Sequence, residues 1–146
     1  MKAQRVTLIT LGVRDLTRAK AFYAKLGWEP EEATESVVFY DLGGMKLGFF
    51  GLEPLAHDQG RPGATLATGA MSLAQNFPDR AAVDAAFARA EAAGAEVLKR
   101  PEAVFWGGYS GYFADPDGHV WELAHNPFWE LDDDGALTRS DPLDGD

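Results

Sequence analysis

A chain of 146 residues with 46% hydrophobic side chains can bury a core of its own, so one globular domain is expected, and its lack of cysteine excludes disulfides and thiolate chemistry and fits a reducing compartment. The formal net charge is −10 with no Lys/Arg cluster, which excludes the footprint that nucleic-acid backbones require. No apolar run reaches membrane-spanning length and residues 1–5 do not lead into a signal-peptide core, so the expectation is a soluble, cytoplasmic protein with no membrane partner.

Residues 6–13 are apolar and β-branched and predict a buried strand. Asp15 can cap the helix that follows, in which Leu16, Ala19, Phe22, Tyr23 and Leu26 recur at helical spacing until Gly27. Three short strands are predicted next, over 28–33, 36–42 and, after Gly43-Gly44, 45–51; the first is the weakest because it contains Pro30 and acidic neighbours. Residues 52–67 contain Pro54, Gly60, Pro62 and Gly63 without a sustained period, and read as a long connector, either functional or a plain linker.

A strand over 70–77 is followed by Pro78-Asp79, which opens a second, alanine-rich helix with Val83, Ala86, Phe87 and Ala90 on one face and Gly94 beyond its end. A short strand over 96–100 and a loop over 101–108 precede a hairpin, whose strands 109–114 and 119–125 flank the turn Asp115-Pro116-Asp117-Gly118. From Glu130 onward seven acidic residues stand against Arg139 alone, so residues 130–146 read as a solvated, disordered tail.

The order strand, helix, glycine, three short strands thus occurs twice, in modules at about 4–52 and 68–129 of a single domain spanning 1–129. Helices are missing between most strand pairs, so the class is α+β, with a mixed, mainly antiparallel sheet and helices on one face. Aligning the two turns makes Gly48 the counterpart of Glu122.

This repeat, with Leu11-Gly12-Val13-Arg14-Asp15-Leu16, Ala21-Phe22-Tyr23 and Leu26-Gly27 in the first copy and Phe113 to Leu123 in the second, resembles the vicinal oxygen chelate superfamily of glyoxalases, bleomycin-resistance proteins and extradiol dioxygenases. The resemblance implies a curved sheet closed around a cleft, helices on its outer face and, in the enzymes, a divalent metal held by residues of the first and last strand of each module. Carried over by register, those positions are Leu8, Gly48, Ser72 or Ala70, and Glu122, and Glu122 alone is a competent ligand. No cofactor is therefore expected, and a divalent metal is the less favoured alternative.

Glu122 shares a strand face with Val120 and Ala124. It is the candidate acid, base or ligand anchor, or else a carboxylate bonded to Ser72, Tyr109 or water. Of the aromatic cluster 105–113, Trp106, Tyr109 and Phe113 are candidate ligand contacts, joined by Phe50, by Lys46, which is directed inward or to solvent, and by Ser72. Residues 125–129 are expected to clasp a sheet edge or to close one end of the cleft. The expected function is binding of a small organic molecule by a homodimer without the usual metal. The alternative is a divergent enzyme, either a metal-dependent lyase or dioxygenase, or a metal-free isomerase with Glu122 as base.

Overall fold

The structure is a computed structural model that describes residues 1–141. The chain divides between Gly69 and Ala70 into two compact units, each built on a four-stranded mixed sheet.

The first unit runs β1 (Leu8–Val13), α1 (Leu16–Lys25), β2 (Glu32–Ala33), β3 (Val37–Asp41), β4 (Lys46–Gly51) and α2 (Leu52–Asp58). Its sheet order is β1-β4-β3-β2, with β1 parallel to β4 and the other pairs antiparallel. Asp15 caps α1 by accepting a hydrogen bond from the Arg18 N–H at 3.1 Å, and Gly27, at φ 90°, lets the chain leave it. Apolar residues of α1 and of alternate strand positions then close one core. Tyr23 is fully buried and stacks at 4.6 Å on Phe49, with Tyr40 and Trp28 completing the cluster.

The long connector expected over 52–67 is corrected by α2. This helix is too short to announce itself by periodicity. Pro54 sits in its first turn, where no intrahelical N–H bond is lost, and Leu52 and Leu55 come down over Gly12, with Leu52 Cδ2 only 2.7 Å from where a Cβ there would lie. Since Gly12 alternates with the buried Leu11 and Val13, α2 covers the sheet face opposite α1. The expected strand over 28–33 shrinks to the two residues of β2, as Pro30 and the acidic neighbours suggested.

The second unit runs β5 (Ser72–Asn76), α3 (Arg80–Ala92), β6 (Glu96–Ala103), β7 (Tyr109–Ala114), β8 (Val120–His125), β9 (Trp129–Leu131) and β10 (Leu137–Ser140). The order β5-β8-β7-β6 repeats that of the first sheet, with β5 parallel to β8. Asp79 caps α3 by accepting from the Ala82 N–H at 2.7 Å, and Val83, Phe87 and Ala90 are its buried face. Strand β6 runs through Pro101, further than expected; being at the sheet edge, it tolerates a residue with no N–H. Its register with β7 slips by one residue between Lys99 and Glu102, which places the backbone of Lys99 and Pro101 hard against Gly111.

The β7–β8 turn is held by Asp115, whose buried carboxylate accepts from the Asp117 and His119 N–H groups, both at 2.9 Å. Part of the stretch expected as a disordered tail is a hairpin: β9 and β10 pair antiparallel around Asp132, which accepts from the Asp134 and Ala136 N–H groups. The tail's last five residues, 142–146, lie outside the described ones.

Candidate functional site around Glu122

Strand β8 divides the second unit chemically. Trp121 and Leu123 are buried on the side covered by α3, where Phe113 meets Phe87 edge-on at 6.4 Å. Glu122 points to the other side with Val120 and Ala124, and one row of pairs crosses the sheet there: Ala74 on β5, Glu122 on β8, Tyr112 on β7 and Lys99 on β6.

Tyr112 is the functional group of this row that the sequence reading did not single out. Burial first, then the charge of Glu122 and a side-chain hydrogen bond with it, raise the Tyr112 phenol above its ordinary 10.0, opposed by Lys99. At neutral pH Tyr112 is therefore a protonated donor beside a carboxylate. The pairing could have been counted from the turn: once Ala114 faces Val120, Tyr112 must face Glu122.

The remaining candidates fall in different places. Ser72 lies exposed on the edge strand β5, on the Glu122 face, beside Val120. Phe113, only 3% exposed, is a core residue and not a ligand contact, because its strand parity matches that of Trp121. Tyr109 is corrected for the same reason: it donates to Asp84 Oδ1 at 2.6 Å, and the Arg80 guanidinium lies 5.1 Å from its ring centroid, so it faces α3. The half-buried Trp106 folds its indole back over Gly108 in the β6–β7 loop.

In the first unit, Leu8, Lys46, Gly48 and Phe50 share the face opposite α1. A cavity of about 420 Å³ opens there, lined by Leu8, Phe39, Met45 and Lys46 among others. Lys46 is held by Glu31 at 2.6 Å, the contact that raises its pKa, and sits 6.0 Å above the Phe39 ring. A Cβ at Gly48 would lie 3.1 Å from Phe39 Cε1 and 3.6 Å from Leu8 Cδ1. An acidic side chain at Gly48 would thus have to displace Phe39, and Leu8 offers no donor. The described residues contain no group of three or more His, Asp or Glu that could hold a metal ion. The residues at the positions implied by the resemblance do not fit a metal centre.

A family model described as Glyoxalase/Bleomycin resistance protein/Dioxygenase superfamily matches residues 5–123. Among solved structures, the chain is similar to a glyoxalase-related enzyme from Fulvimarina pelagi, with 37% identity and a TM-score of 0.88 over 94% of this chain and 99% of that one. It is also similar to a lactoylglutathione lyase from Agrobacterium tumefaciens, with 26% identity and a TM-score of 0.69 over 88% and 98% of the two chains. A glyoxalase/bleomycin resistance protein/dioxygenase family enzyme from Burkholderia phytofirmans PsJN shares the fold at 23% identity and a TM-score of 0.73, over 82% of this chain and 96% of that one. Curated proteins yield no match.

Proposed function

From a chain that belongs to the Glyoxalase/Bleomycin resistance protein/Dioxygenase superfamily, we propose a protein that binds a small organic molecule against the Glu122 face of its second sheet, without the metal that enzymes of the fold hold. The observation that carries this reading is the Glu122–Tyr112 pair: a carboxylate acceptor and a phenol donor adjacent on a sheet face, with Lys99 beyond Tyr112 and with Ala74, Val120 and Ala124 around Glu122. Such a pair orients a ligand that carries an N–H or O–H next to a carbonyl or hydroxyl oxygen, while the small apolar neighbours admit its body. The filled position at Gly48 supports the metal-free part of the reading. Among the described residues no helix is long and apolar enough to cross a membrane. A cytoplasmic homodimer remains part of the proposal, with light scattering as the check on its mass.

A second reading has the same pair in its favour. Glu122 as base and Tyr112 as acid would shift a proton within a carbon acid, which is isomerase chemistry without a metal. Glu122→Gln separates the two: a binder keeps much of its affinity for a neutral ligand, whereas a proton-transfer enzyme loses turnover by orders of magnitude with binding largely intact. Elemental analysis tests the metal. Protein purified without supplementation should hold far less than one divalent ion per chain, and stoichiometric zinc, nickel or manganese surviving dialysis would overturn the metal-free reading and favour a lyase or dioxygenase of divergent ligation.

A further inference from the structure

The second unit contains a cavity of about 460 Å³ unrelated to the Glu122 face, within the size range of small-molecule sites. It lies beyond the end of β8 and is walled by the β9–β10 hairpin. Apart from Pro78 its lining falls between His125 and Asp141, outside the stretch 5–123 matched by the family model. The walls are anchored: buried Asn126 accepts from the Phe128 N–H at 2.9 Å, its carbonyl accepts from the Trp129 N–H, and the Asp141 N–H donates to the Phe128 carbonyl at 2.8 Å.

We propose that this cavity binds an organic ammonium ion with a flat apolar body. Three features of the lining select that chemistry. His125 turns Nδ1 to the Phe77 carbonyl at 3.0 Å; a neutral ring must donate through that nitrogen, so Nε2 is left as an acceptor. Arg139, the cation of the lining, is neutralised by Asp141, with Nη2 3.2 Å from Oδ1, and Glu130, its cross-strand partner, leaves the wall with net negative charge. Phe128 and the 40% exposed Trp129 then offer aromatic faces, which attract cations and stack on flat apolar groups. An anion would meet Glu130 and Asp141 within a chain whose formal charge is already −10. Acceptor, carboxylate and aromatic wall together suit an arylalkylamine.

The test uses the full chain, 2-phenylethylamine as probe and 3-phenylpropionate as its anionic counterpart, with calorimetry for affinity and backbone amide shifts for location. The amine should bind saturably, shift amides between residues 125 and 141, and bind at least tenfold more tightly than the anion. Glu130→Gln, at an exposed position that cannot disturb the core, should weaken the amine at least fivefold, and Trp129→Ala should weaken both probes. Absence of saturation, tighter binding of the anion, or indifference to Glu130→Gln would overturn the proposal. So would loss of amine binding in Glu122→Gln, which would place the amine on the other face of the sheet.

Discussion

Tyr40→Phe should stabilise the protein. The Tyr40 side chain is 2% exposed, and its hydroxyl has no hydrogen-bond partner among the described residues. A buried donor left unpaired costs roughly 1–3 kcal/mol in lost hydration, and removing the oxygen forfeits only its few dispersion contacts. The ring itself is kept, with its edge-on contacts to Trp28 at 5.4 Å and Phe49 at 5.6 Å. The expected net gain is about 1 kcal/mol, which for a domain near 150 residues raises Tm by roughly 2–4 °C. Urea unfolding followed by tryptophan fluorescence should show a higher midpoint with an unchanged slope. Burial also raises the Tyr40 phenol above its ordinary 10.0, so the folded chain keeps that proton where the unfolded chain loses it. Its ionisation adds no cost below about pH 10, and stability then falls as pH rises from there through the higher folded value; Tyr40→Phe removes that share of the alkaline loss. A loss of 1 kcal/mol or more on Tyr40→Phe would refute the reasoning, since it would mean that the hydroxyl makes a productive bond.

Phe113→Ala should cost about 3–5 kcal/mol, the range for a deleted core aromatic, and a loss below 1 kcal/mol in urea unfolding would return Phe113 to the list of ligand contacts. Asp79→Ala should cost about 1 kcal/mol by removing the bond to the Ala82 N–H, with Asp79→Asn largely restoring the midpoint. Gly111→Ala places a Cβ 2.7 Å from the Pro101 nitrogen and 2.9 Å from the Lys99 carbonyl, both backbone atoms that cannot turn away; a loss of roughly 1–3 kcal/mol is expected, and an unchanged midpoint would mean that β6 shifts freely.

What the sequence by itself determined is everything whose physics closes within a few residues. Asp15 and Asp79 each satisfy an N–H three residues ahead, Gly43-Gly44 adopts positive φ, and Asp115 ties the turn that sets the register of β7 against β8. Those local bonds, with period-two and helical apolar spacing, were enough to order the strands and helices of both modules and to align Glu122 with Gly48. Tertiary structure decided whatever depends on what lies across the chain. Whether Phe113 or Tyr112 enters the core depends on which side of β7 is covered by α3, a fact that no neighbour of either residue encodes. Helix α2 exists because Leu52 and Leu55 find Gly12 some forty residues upstream, and the acidic stretch after Glu130 forms a hairpin because Leu131, Glu130 and Trp129 gain partners in Leu137, Arg139 and Ser140. Phe39 stands over Gly48 only once β3 and β4 have paired, so composition could report that a ligand was missing at Gly48, but not that an aromatic ring occupies its place.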